Sequence, residues 1–166
     1  GVCSSVVCCS DHGSAHHEGG GGAAVHDLTR GFKRRNFWVM ETQPGCVNWT
    51  GINNHLHRGE MKVMAWQAVA HGADAVLYWQ WRSAPGGQEQ YHGTLVGTDG
   101  RPRMILPEVA ELGREFAAAG EAVAGTRPAA EAALINSYES RWSIEWQRHH
   151  QDFDYVEHLE HYYRSE

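Results

Sequence analysis

No apolar run in the chain approaches the roughly 20 residues that span a bilayer, and its first residues show neither a basic segment nor a sustained apolar one. The expectation is a soluble protein without a signal peptide or a membrane partner. Positive charge is also scarce. Fourteen Lys and Arg against 20 Asp and Glu leave a formal net charge of −6, and the only adjacent basic residues are Lys33-Arg34-Arg35. Nucleic-acid surfaces need a broad basic patch, so nucleic acid is not an expected partner.

Evenly spaced cysteines are missing as well. Three of the four crowd together at Cys3, Cys8 and Cys9, and Cys46 stands alone. That is no disulfide framework, and it fits a reducing, cytoplasmic compartment. His12, His16 and His17 lie near the crowded cysteines, but paired zinc-ligand spacing is lacking, so no metal and no cofactor are expected. What the chain has in quantity is large aromatics: seven Trp and six Tyr in 166 residues. Their flat faces suit both a core and the apolar face of a sugar, and composition does not separate the two uses.

Residues 1–22 have no helical or strand periodicity and include the run Gly19 to Gly22, which predicts a poorly ordered leader. From Ala23 the spacing of Val25, Leu28 and Phe32 predicts a short helix ending near Arg35, with basic residues where the helix dipole favours them. Phe37-Trp38-Val39-Met40 is a strand-length apolar run, as a parallel strand buried on both faces requires, and Glu41 sits at its tip. A second helix is predicted over Gly59 to His71, burying Met61, Met64, Ala65, Ala68 and Val69, with Gly72 as its stop. Ala75 to Trp81 reads as a second strand. After a long loop, a helix enters at Pro107 and faces Val109, Leu112, Phe116 and Val123 inward.

Helices and strands alternating at this spacing build βαβ units on a parallel sheet, in a doubly wound fold or a barrel. Two strands complete neither. Thr126-Arg127-Pro128 reads as a boundary, Ala132 to Asn136 as a new strand, and Phe153 to Tyr163 as a helix.

A carboxylate at the C-terminal end of a parallel strand is where α/β barrels place catalytic groups, although on position alone Glu41 fits a structural ion pair or loop cap equally. The neighbouring residues decide. Phe37-Trp38-Val39-Met40-Glu41-Thr42-Gln43-Pro44-Gly45 and Val47-Asn48-Trp49 closely resemble the nucleophile-bearing segment of the family-42 glycoside hydrolases, which are β-galactosidases. The resemblance continues through Trp66-Gln67-Ala68, His71-Gly72-Ala73-Asp74, Trp81-Arg82-Ser83-Ala84-Pro85 and Gln88-Glu89-Gln90 with His92, covering about Ala23 to Tyr163.

This resemblance implies an α/β chain holding the last two strands of a (β/α)₈ TIM barrel with their helices over residues 23–126. The start of a flavodoxin-like α/β trimerisation domain follows over 127–166, and Tyr138-Glu139-Ser140-Arg141-Trp142 resembles its opening. Glu41 becomes the nucleophile of a retaining β-galactosidase, and a homotrimer is implied for a full-length member. Retaining enzymes place a second carboxylate about 5 to 5.5 Å from the nucleophile to protonate the leaving oxygen. In the family that Glu follows an Asn on an earlier strand, and no segment here matches it, so no residue is assigned to the role.

Glu89 and His92 resemble the family's galactose-hydroxyl contacts, a task suited to charge-assisted hydrogen bonds. A solvated loop pair is the alternative. Trp49 and Trp79 match positions of aromatic pocket walls, with a core role equally open for Trp79. Arg82 is placed to orient either Glu41 or the loop after the second strand. Gly86-Gly87 departs from the family's pattern and predicts a looser loop. The alternative function is a catalytically inactive remnant that binds sugar or serves as an assembly piece. In isolation such a chain is expected to expose strand edges and aggregate.

Overall fold

The computed structural model describes residues 20–48 and 55–165. Five helices and two strands run in the order α1 (Gly20–Lys33), β1 (Phe37–Thr42), α2 (Glu60–Ala70), β2 (Ala73–Tyr78), α3 (Leu106–Val123), α4 (Tyr138–Trp146) and α5 (Tyr155–Ser165). β1 and β2 pair in parallel, with α2 as the crossover between them.

The two strands share one covered face. Phe37 and Val39 of β1 pack with Ala73 of β2 against Ala68 of α2, and Val76 joins them. Met61 and Ala65 of α2 close a second cluster with Leu112 of α3, flanked by Trp66, Tyr78, Val109 and Phe116. Full burial of a Val, Leu or Met side chain is worth roughly 1.5–3 kcal/mol, so these few residues dominate the cohesion of the unit. Polar contacts add to it: Lys62 reaches Glu115 at 2.7 Å and Glu111 at 3.2 Å, and the Trp66 indole N–H donates to Glu115 at 3.1 Å. All three run from α2 to α3.

α2 starts after Gly59, whose φ of +93° favours glycine, and its end is followed by Gly72 at φ +100°. A side chain at Gly72 would also press on Arg30 and Pro128. The predicted helix of residues 59–71 is therefore found almost as read.

Three expectations need correction. Residues 20–22, assigned to a leader, belong to α1; residues 1–19 lie outside the described residues. Glycine is a poor helix former, but a Cβ on Gly22 would stand 3.2 Å from the Gln67 side chain, so a small residue lets α1 approach α2 closely. The expected strand over Ala132 to Asn136 is absent. No second strand pairs with it among the described residues, and Ile135 is 84% exposed, so the apolar run has neither a ladder nor a covered face. Instead the chain turns into α4 at Ser137, whose Oγ accepts the Ser140 N–H at 3.2 Å, an N-cap that stands in the sequence unread. Val123, expected to face inward, is 37% exposed.

The face opposite the helices is open. Trp38, Leu77, Trp79 and Trp81 are all exposed there or at the strand ends, and each strand has one unpaired edge among the described residues. None of the described helices is long and apolar enough to cross a membrane.

Candidate active site

Strict alternation along β1 would put Glu41 on the same face as Phe37 and Val39, underneath the helices. The register is irregular there. Val39 pairs with Val76 and Thr42 with Tyr78, so three steps along β1 match two along β2, and one extra residue sits between them. Such a bulge re-aims the side chains beyond it. Val39 and Thr42 consequently both line the helix side, where a cavity of about 510 Å³ lies between sheet, α1 and α2. Glu41 is half-buried and does not line that cavity.

That cavity is not lined by the residues singled out for the chemistry. Its lining includes Val39, Met61, Ala65 and Val76, and it lacks Glu41, Trp79, Glu89 and His92. One wall carries His26, which stacks on Phe37 at 5.6 Å. Burial pushes the His26 imidazole down to about 4, with His71 adding to the shift and Asp27 opposing it.

The candidate residues gather instead at the C-terminal ends of the strands. The Trp79 N–H donates to the Thr42 carbonyl at 2.9 Å, so the residue after β2 stands level with the tip of β1. Its indole N–H donates to the Glu89 carboxylate at 3.2 Å. The ring is 43% exposed, so Trp79 takes no part in the described core. The His92 N–H closes on the Glu89 carbonyl at 3.0 Å, and the His92 side chain is buried. Among the described residues none donates a hydrogen bond to the Glu41 carboxylate. Trp49 lies outside the described residues.

β2 is shorter than the predicted strand, ending at Tyr78. Beyond it the Trp79–Gln80 peptide bond is cis. The Gln80 and Trp81 carbonyls accept from Leu95 at 3.3 Å and Val96 at 2.7 Å, so this segment pairs with its own returning loop. Ser83 and Thr94 meet there through their buried hydroxyls at 2.6 Å. Arg82 belongs to this loop scaffold: its guanidinium donates to the Thr98 carbonyl at 2.6 Å and does not reach Glu41. Gly87 takes φ +92°, and its carbonyl accepts the Gln90 N–H at 3.4 Å, so this glycine opens a turn.

A second set of residues joins the loop after β1 to the loop after β2, and sequence reasoning missed it. Gly93 donates to the Cys46 carbonyl at 2.7 Å, the Cys46 thiol lies 3.6 Å from the Tyr91 carbonyl, and the Asn48 amide contacts both the Gln88 carbonyl and the His92 ring. A Cβ on Gly93 would lie 2.7 Å from the Cys46 nitrogen, so the approach requires glycine. The one available signal was a glycine beside a candidate ligand. Among the described residues, no group of three His, Cys, Asp or Glu side chains is placed to hold a metal ion.

A parallel βαβ unit with a carboxylate and aromatic and polar side chains at its strand ends is compatible with a barrel-type glycoside hydrolase, and the comparisons with known proteins give the family. The chain belongs to glycoside hydrolase family 42, the β-galactosidases, whose family model matches residues 10–119. That match begins before the point where the quoted motifs start. The β-galactosidase BgaH of Haloferax lucentense is 44% identical over 138 residues, 83% of this chain and 20% of that protein. BgaA of a Thermus species is 39% identical over 131 residues, 79% of this chain and 20% of that protein. The solved β-galactosidase from Bacillus circulans sp. alkalophilus superposes with a TM-score of 0.88 at 33% identity, covering 96% of this chain and 24% of that one. The polyextremophilic enzyme of Halorubrum lacusprofundi gives 0.79 at 40% identity, over 86% and 21%. The chain thus spans about a fifth of the length of the curated relatives it matches.

Proposed function

We propose that these residues form the seventh and eighth strands of the catalytic barrel of a retaining β-galactosidase, with Glu41 as the nucleophile. The observation that supports the reading is the position of Glu41 near the C-terminal end of β1, outside the helix-side cavity and beside the point where Trp79 joins the tip of that strand. A structural ion pair would need a cation, and none among the described residues pairs with Glu41.

In this reading the Glu41 carboxylate attacks the anomeric carbon as the glycosidic bond breaks. It forms a glycosyl ester that water then hydrolyses with net retention. A second carboxylate, carried by an earlier strand, protonates the leaving oxygen and later deprotonates the water. Glu89 and His92 bind galactose hydroxyls, and Trp79, together with Trp49, stacks on the sugar's C–H face and excludes water. The Trp79 indole also holds the Glu89 carboxylate in place. Residues 127–166 open a trimerisation domain, and the substrate is a terminal β-galactoside.

For the 166 residues taken alone, a non-catalytic piece is the second reading. It is favoured by the uncovered Trp38, Leu77 and Trp81 and by the absence of any residue assigned to the acid/base role.

The test replaces Glu41 with glycine in the protein that carries this segment. Hydrolysis of an aryl β-galactoside falls on the order of 10⁴-fold or more. Added azide then restores turnover by occupying the vacated side, giving an α-galactosyl azide. A β-configured azide, or full activity in Glu41→Gly, contradicts the assignment.

A further inference from the structure

The contacts of Asn48 determine more than loop packing. The Gln88 carbonyl can only accept a hydrogen bond, so the Asn48 group facing it must be the amide nitrogen. This orientation gives each end of the Asn48 amide a partner of matching polarity. The Asn48 carbonyl oxygen is then the atom that faces His92 Nδ1, at 3.4 Å. Because that oxygen can only accept, a hydrogen bond between the two requires the hydrogen on Nδ1. In a neutral imidazole with a proton on Nδ1, the other nitrogen is an acceptor.

We propose that Asn48 is a positioning residue for sugar recognition: it holds His92 in the Nδ1–H tautomer, so that Nε2 accepts a hydrogen bond from a substrate hydroxyl. The proposal rests on the reading of Glu89 and His92 as galactose contacts. It adds the residue that sets the polarity of the histidine and ties it to the nucleophile's own loop. Asn48 lies seven positions beyond Glu41 in the chain, and Gly93 and Cys46 bind the same two loops together through the backbone. Displacement of the Glu89–His92 loop relative to Glu41 is therefore resisted at several points, and Asn48 is the one whose side chain touches a candidate ligand.

Because Asn48 acts through His92, its effect must vanish when His92 is gone. In the protein that carries this segment, His92→Ala should lower kcat/KM for an aryl β-galactoside about 100-fold and Asn48→Ala about 10-fold, the latter mostly in KM. The double variant should lie within roughly threefold of His92→Ala alone. Losses that multiply to about 1,000-fold overturn the proposal, since a general structural role would act whether or not His92 is present. Should the alanine variant not fold, Asn48→Ser enters the same cycle.

A crystal structure of the Asn48 variant gives a readout independent of activity. The proposal expects the His92 ring to rotate or the residue 88–92 loop to part from residues 45–48. An unchanged ring and loop overturn it. If the parent protein does not hydrolyse β-galactosides, the substrate reading fails instead, and the crystallographic comparison still decides the role of Asn48.

Discussion

At the strand tips two loops meet so closely that Gly93 has no room for a Cβ, whereas at the other end of the chain α4 buries no residue at all. The first region is held by backbone: Gly93 to Cys46, Trp79 to Thr42, Val96 to Trp81. The second is held largely by polar side-chain ties. The Tyr163 hydroxyl donates to Asp27 of α1 at 2.7 Å, and the Tyr155 hydroxyl accepts the Ser137 N–H at 3.1 Å. The family model covers the first region and stops at residue 119, before the second begins. Backbone contacts depend on shape and leave little freedom to the residues that make them, while a single side-chain tie can be exchanged or lost at modest cost.

Asp27 is the hub of the weaker region. Burial works to raise its carboxyl, but hydrogen bonds from Arg30, Tyr163 and His71 outweigh it and hold the group below the usual carboxylate range. Burial, reinforced by the bond to Asp27, pushes the Tyr163 hydroxyl up, so it remains a donor throughout the physiological range.

The sharpest break in this contrast should come from Gly93→Val. The new side chain would force the two loops apart and carry His92 away from Glu41, and kcat/KM for a β-galactoside should fall about 100-fold or more. The α5 amides should keep their hydrogen-exchange protection. A loss of protection spread equally over both regions would show that they are not separately held.

Acid provides a second, smaller break. Folding favours neutral His26, so its stabilising contribution is complete above about pH 6.5 and declines as the pH drops toward about 4. The Asp27 tie is lost only below the ordinary carboxylate range. Between pH 6.5 and 4 the Tm should fall by roughly 5 °C, and His26→Phe should flatten that slope. An unchanged slope in the variant would remove His26 from the explanation.

Tyr163→Phe has the smallest expected effect, about 1 kcal/mol, because Arg30 and His71 still satisfy Asp27. Faster hydrogen exchange in α5, with the sheet unaffected, is the expected outcome. Equal acceleration in β1 and β2 would contradict the division.

The two regions also differed in how far they could be read in advance. α2 and β1 were legible because an apolar period and a glycine stop coincide at Glu60–Ala70 and an apolar run ends at Glu41. Glu89 and Trp79 were singled out through motif resemblance alone, and the structure adds the hydrogen bond between them. The bulge beside Glu41 was not legible, because an extra residue in a strand shows only against its partner strand. The role of Asn48 was hidden for the same reason: both of its partners lie some 40 residues along the chain. Around Ala132 to Asn136 propensity alone pointed to a strand, and the lack of a pairing partner prevailed.

The most direct test of the account is intact-mass and peptide analysis of the protein carrying this segment after incubation with 2-deoxy-2-fluoro-β-galactosyl fluoride, whose fluoride leaving group needs no acid. The account predicts a single fluorogalactosyl ester on Glu41 that is absent from Glu41→Gln. A label on another carboxylate, or none on a folded protein that hydrolyses β-galactosides, would contradict it.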